Sequence, residues 1–302
     1  MRETSLNTEI GFRLMYYLLF SILCFSIADS LWKIPLRYIE AHTCIFYRNI
    51  GTSTLFALAW IFFGQNNANL YTATDVLVAV GVSCIAFGGL YCFGKAQIHT
   101  ELSLLIPLLS FGEILKFLIG TFFWGESVSL SKASIFVLSL LANLLMLVNP
   151  KKNFKFYDKS LIYALLAATF WSISYSFFKY NTEKLGAIPF GFILEVVAVV
   201  LSLAVHKLQK RQWEEIIKIK HSTKVLPSIA LIAVLGGLGV YFTNMAYQSE
   251  SITSIVIIGL IGQLIPLGMG TVFYHERLRP LQYLGVFLSL LAFVLLNIYQ
   301  SN

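Results

Sequence analysis

The sequence predicts an all-α membrane protein of ten transmembrane helices arranged as two inverted five-helix repeats. Three observations carry that prediction. The 302-residue chain is 57% hydrophobic and only 12% charged, with a mean hydropathy of +0.75, more apolar side chain than a water-soluble domain of this size buries. Gly89 to Glu126 can be laid over Gly239 to Glu276 without a gap; Gly89/Gly239, Tyr91/Tyr241, Ala96/Ala246, Gly112/Gly262, Gly120/Gly270, Thr121/Thr271, Phe123/Phe273 and Glu126/Glu276 are identical. A second register, offset by 146 residues, pairs Ser26 with Ser172, Ile27 with Ile173, Ser30 with Ser176 and Lys33 with Lys179.

A hydrocarbon core of about 30 Å requires roughly 20 apolar residues per helix. That ruler places spans near 12–32, 41–63, 75–94, 100–123, 130–148, 160–179, 187–206, 225–247, 252–274 and 281–299. The first opens at an apolar run too long for a signal-peptide core and without a small-residue cleavage site, so it reads as a span. Residues 64–74, rich in Asn and Thr, separate the second and third spans. The fourth and ninth spans are interrupted by Pro107 and Pro266, where a missing N–H frees a carbonyl. Glycine concentrates in the third, fourth, eighth and ninth spans, letting helices approach closely and slide. The polar, basic stretch 149–158 links two repeat units, 12–148 and 160–299. After the seventh span, 207–224 mixes charges with Trp213, Ile216, Ile217 and Ile219 at helical spacing, the pattern of a surface amphipathic helix or of a solvated loop. Five spans per half is an odd number, so the second half is inverted. Such repeats mark carriers that expose a shared midplane site to each side in turn.

Charges in the middle of a span cost several kcal/mol and face a cavity or one another. Asp29 and Lys33 stand one turn apart near the end of the first span; Glu113 and Lys116 share a face of the fourth; Arg48 and Glu195 lie at matching depth in the second and seventh; Lys179 ends the sixth as Lys33 ends the first. Lys33 and Lys179 also fit snorkelling to the interface, and Arg48 with Glu195 fits a structural bridge between the halves. Glu113 and Lys116 are hardest to explain as packing, because their counterparts are Gln263 and Pro266. Together, three acids and four bases suit a zwitterion or a modestly anionic metabolite. The aromatic residues Trp32, Tyr91, Trp171, Tyr175, Phe178 and Tyr241 sit on spans expected to line the centre, either to hold an apolar group or a quaternary ammonium or simply to pack.

Other classes find less support. Cys24, Cys44, Cys84 and Cys92 lie in apolar segments without ligand spacing and read as buried small residues; no metal or cofactor is expected. A net charge of +7 sits mostly in short loops, where it sets orientation rather than binding nucleic acid. No Gly-rich nucleotide loop, no His-Glu-x-x-His, no Gly-x-Ser-x-Gly and no close pair among His42, His99, His206, His221 and His275 appears, so an enzyme is not expected.

The segment ending Phe-Phe-Trp-Gly-Glu126, its counterpart Val-Phe-Tyr-His-Glu276-Arg-Leu, Tyr91 with Ala96, Tyr241 with Ala246, Trp171 and Arg48 resemble, over nearly the whole chain, the ten-helix EamA-type members of the drug/metabolite transporter superfamily. The arginine that usually follows the signature glutamate is replaced by Ser127. The resemblance implies a multi-pass protein of the inner (plasma) membrane. It would be a secondary active or facilitative exporter of a small polar or zwitterionic metabolite such as an amino acid, working by alternating access as a monomer or homodimer. Its partners would be that substrate, the bilayer and, as a candidate coupling ion, the proton through Glu113 or Asp29. A lipid or lipid-linked sugar flippase and a non-transporting sensor are the alternatives. Charge and resemblance disagree on orientation: fifteen of 22 Lys and Arg follow odd-numbered spans, placing both termini outside, whereas the family implies both inside.

Overall fold

The computed structural model describes residues 2–63, 71–98, 100, 102–147, 159–209, 212, 216, 222–275 and 277–301. Its helices are α1 (Arg2–Leu31), α2 (Ala41–Phe63), α3 (Ala73–Gln97), α4 (Leu102–Leu109), α5 (Phe111–Leu118), α6 (Leu130–Leu147), α7 (Lys159–Ser176), α8 (Phe178–Leu185), α9 (Ala187–Leu208), α10 (Ser222–Ser249), α11 (Ile252–Gly262), α12 (Leu264–Tyr274) and α13 (Pro280–Ser301). Among the described residues, eight continuous passages are long and apolar enough to cross a membrane. A shorter apolar stretch lies in α13, and the 23-residue α2, whose hydropathy is lowered by residues such as His42, Arg48 and Asn49, brings the long helical passages among the described residues to ten. Large side chains face outward as lipid demands, Leu77, Phe122 and Leu130 among them. Cys24, Cys44 and Cys92 are buried as expected, but Cys84 is on the outer surface.

The fourth and ninth passages are each broken in the middle. In the fourth the break falls at Ser110, three residues after Pro107, and the far end loosens into a π turn over Ile119–Phe123. In the ninth it falls at Gln263, three residues before Pro266. Asn143 of α6 braces both breaks: it accepts from Ser110 Oγ at 3.1 Å and donates to the Leu260 carbonyl at 3.1 Å. The sixth passage runs longer than hydropathy suggests, through α8 to Leu185. Its polar residues turn back on the helix, Asn181 donating to the Phe177 carbonyl at 2.8 Å and Thr182 to that of Phe178 at 2.8 Å, so a stretch that reads as loop is helical. The candidate surface helix in 207–224 lies largely outside the described residues; Ile216 is buried and its carbonyl accepts from Tyr47 at 2.6 Å.

The halves are interleaved rather than side by side. The most extensive packing joins α1 to α10, α3 to α7, α2 to α9 and α6 to α13. Exchanging the repeats turns the first of these pairs into the second and each of the others into itself. That invariance is the structural form of the duplication. Backbone detail repeats too: the counterparts Gly125 and His275 both adopt positive φ, 67° and 53°, which ends the fourth and ninth passages the same way. The following Glu126 then closes onto the other half, accepting from the N–H groups of Ile252 at 2.7 Å and Thr253 at 2.9 Å, the unpaired donors at the start of α11. Its counterpart Glu276 lies outside the described residues.

Candidate functional site

At the centre lies a cavity of about 240 Å³ lined from both halves. Its walls follow the internal symmetry at several positions. In the 146 register, Phe25 faces the cavity with Trp171, Asp29 with Tyr175, and Trp32 with Phe178. In the 150 register, Gly112 does so with Gly262, Glu113 with Gln263, and Lys116 with Pro266. The cavity therefore sits on the axis relating the repeats. Its shape is shared by the halves, while its charge is not: Asp29, Arg48, Glu113 and Lys116 come from the first half, and only Glu195 from the second.

The five charges are arranged as two pairs and a single acid. Arg48 Nη1 on α2 meets Glu195 Oε2 on α9 at 3.0 Å and also donates to Asn49 Oδ1 at 2.9 Å. Both side chains are almost wholly buried. Gly236 of α10 makes room for the guanidinium: a Cβ there would lie 2.6 Å from Nη2. On α5, Lys116 Nζ meets Glu113 Oε1 at 2.6 Å and stands 5.3 Å from the centre of the Tyr175 ring. Gly259 of α11 leaves space over the other Glu113 oxygen. Oxygen Oε2 of Glu113 and Oε1 of Glu195 have no hydrogen-bond partner among the described residues. Asp29 makes no ion pair among them; Arg48 is the cation whose charge acts on it. Tyr175 lies within electrostatic reach of Asp29, Arg48, Glu113 and Glu195, against Phe178 (4.6 Å edge-on) and Tyr247 (6.2 Å stacked).

The EamA-like transporter family model matches residues 158–298. The match spans nearly the whole second half of the chain. This EamA-like chain also shares its fold with solved structures, one of them a crystal structure described only as that of a protein, with a TM-score of 0.72 over 98% of each chain at 14% identity. No curated protein matches it in sequence. It is a multi-pass membrane transporter of the drug/metabolite superfamily.

Of the eleven residues singled out in the EamA-like sequence, the structure brings seven to the cavity: Asp29, Arg48, Glu113, Lys116, Trp171, Tyr175 and Glu195. Lys33, Tyr91, Lys179 and Tyr241 are not in its lining, for one geometric reason. Each follows by one residue a side chain that does line it, namely Trp32, Leu90, Phe178 and Val240, and one helical step turns the next residue by about 100°. Lys33 is further displaced because α1 ends at Leu31, so it does not stand one turn above Asp29. Tyr91 accepts from Gln209 at 3.2 Å, Tyr241 packs edge-on against Phe242 at 5.3 Å, and Lys179 acts on Glu250. The balance of three acids and four bases becomes three against two. A close histidine pair, absent from the sequence spacing, is present in space: His42 Nε2 and His206 Nδ1 are 3.0 Å apart, with His206 Nε2 3.1 Å from the Gln212 carbonyl. No group of three or more metal-binding side chains occurs among the described residues. Sequence reasoning passed over Phe25 and Asn49; applying the 146 register to Trp171 identifies the first, and nothing in the sequence marks the second.

Proposed function

We propose that this chain is a secondary carrier, active or facilitative, that moves a small polar or zwitterionic metabolite such as an amino acid outward across the plasma membrane by alternating access. One observation carries the reading: the cavity lies where the repeats exchange, so rocking the halves about it would open the same side chains to either face. The interior of about 240 Å³ holds roughly eight water volumes of 30 Å³, the scale of a metabolite rather than a lipid. Buried ion pairs in an otherwise apolar span fit substrate handling, with Glu113 and Lys116 as the first candidates and Glu113 or Asp29 as carriers of a coupling proton. The test compares metabolite release from cells with and without the protein, then flux of the released solutes into proteoliposomes. Glu113→Gln is expected to abolish or decouple flux while the purified protein stays folded. Wild-type flux with unchanged pH dependence in that variant would remove Glu113 from the mechanism, and no solute-specific flux in wild type would remove the carrier reading.

A further inference from the structure

Among the charged side chains of the cavity, carboxylates outnumber cations, three to two. Arg48 and Lys116 are each engaged by a carboxylate, so neither is left as a dedicated anion site. Three carboxylates remain under-used: Asp29, which has no ion pair among the described residues, Glu113 through Oε2 and Glu195 through Oε1. Glu113 is 9% exposed and Glu195 1%, and a buried carboxylate oxygen without a donor is costly. The formal charge of the lining is one negative, contributed by Asp29. Facing Asp29 across the repeat axis stands its counterpart Tyr175, with Trp171 and Phe178 on the same helical face. An anionic group near aromatic faces, within a cavity of metabolite size, is the environment that stabilises an organic ammonium by charge-assisted hydrogen bonds and by the ring quadrupole.

We propose that the cavity binds a cationic amine, its ammonium on Asp29 and its apolar body against Trp171 and Tyr175. This rests on the cavity being the transport site and narrows its occupant, among small polar metabolites, to a cation in preference to a zwitterionic amino acid. The polarity of the walls sets the ligand's direction: the ammonium end meets the first half, which supplies the charges, and the uncharged end meets the second. Glu113 Oε2 and Glu195 Oε1 are the acceptors for further N–H groups, so a second amine or an amide on the body would add affinity. A free carboxylate on the ligand finds Arg48 and Lys116 already paired and three acids nearby. It is disfavoured.

The experiment uses purified full-length protein in nanodiscs and three probes that share one body: phenethylamine, phenylalanine and 3-phenylpropionate, a cation, a zwitterion and an anion. Binding is read by thermal shift and by tryptophan fluorescence, since Trp32 and Trp171 line the cavity. Phenethylamine is expected to bind most tightly, phenylalanine more weakly and 3-phenylpropionate not at all. Asp29→Asn is expected to weaken phenethylamine about tenfold or more, the loss of one charge-assisted hydrogen bond, and Asp29→Glu to retain most of the affinity. Should Asp29→Asn fail to fold, Trp171→Leu supplies the second arm, with weaker amine binding expected. Tightest binding of phenylalanine or of 3-phenylpropionate, undiminished amine binding in Asp29→Asn or in Trp171→Leu, or no binding of any probe would overturn the proposal. Because the readout is equilibrium binding, such a failure is distinct from absence of solute flux in proteoliposomes, which would overturn the carrier reading instead.

Discussion

Neutralising one member of the Arg48–Glu195 pair leaves the other charge buried, and the structure sets the size of the penalty. At 3.0 Å the direct attraction is about 5.5 kcal/mol for an effective dielectric near 20, and orphaning a buried partner costs about 3–5 kcal/mol. Arg48→Met and Glu195→Gln should each lower expression and bring down the apparent Tm in detergent, by about 10 °C on the scaling of globular domains. The exchange Arg48→Glu with Glu195→Arg should recover only part of this. Asn49 accepts from the guanidinium where it now stands, and Gly236 leaves space fitted to it; a carboxylate at position 48 would meet an acceptor and a void. Replacing both by Met and Leu removes both charges at once and should be better tolerated than either single change, giving a coupling energy in the double-mutant cycle. The assay is thermal unfolding of purified protein with size-exclusion profiles as a check on folding. Full tolerance of both single variants, or strictly additive effects, would refute the reasoning.

Other consequences are open to equally direct measurement. Glu126→Gln leaves one carbonyl oxygen where two carboxylate oxygens now serve the α11 N-terminus, so a loss of about 1–2 kcal/mol is expected; an unchanged Tm would mean the cap contributes nothing. His275 is exposed and sits at φ 53°, so His275→Gly should gain about 0.5–1 kcal/mol, and a lower Tm would contradict the strain. Burial holds the Glu250 carboxyl above its ordinary value of 4.5, opposed first by Lys132. A raised folded-state value means the penalty is absent below about pH 4.5 and grows as pH rises through that higher value; Glu250→Gln should therefore flatten the fall of Tm over that rise, and parallel profiles would remove Glu250 as its source. For orientation, the excess of basic residues after odd-numbered spans predicts that a reporter fused after Asn302 is active outside the cytoplasm; cytoplasmic activity would overturn that choice.

Helix count, the internal duplication and the identity of the charged spans were legible because each depends on composition over some twenty residues or on identity at fixed offset. Arg48 and Glu195 could be matched from depth alone, since two helices of opposite direction bring equal depths together. Helix ends were less legible. Hydropathy closed the sixth span at Lys179, whereas buried Asn181 and Thr182 donate to helix carbonyls and carry it to Leu185. The histidine pair was invisible for a different reason: His42 and His206 are 164 residues apart, and only the packing of α2 on α9 brings them together.

What hydropathy could not supply was the rotation of each helix about its own axis. Four candidates failed by a single step: Lys33, Tyr91, Lys179 and Tyr241 each stand next to a lining residue, and about 100° separates facing the cavity from facing a neighbour. Yet all four are duplicated in pairs, Lys33 with Lys179 and Tyr91 with Tyr241, and both members of each pair are turned away. Identity under the repeat therefore does not by itself mark the site, since the identical Gly112 and Gly262 line the cavity while these two pairs do not. Three pairs whose members differ in charge, Asp29 with Tyr175, Glu113 with Gln263 and Lys116 with Pro266, have both members in the cavity lining. The physical reason is that packing positions are constrained alike in both halves by the same close contacts, whereas a site on the axis meets one asymmetric ligand with two different walls. For the cavity of this chain, the intramembrane charges that break the repeat, Asp29, Glu113 and Lys116, are therefore better guides than the conspicuous lysines and tyrosines that keep it.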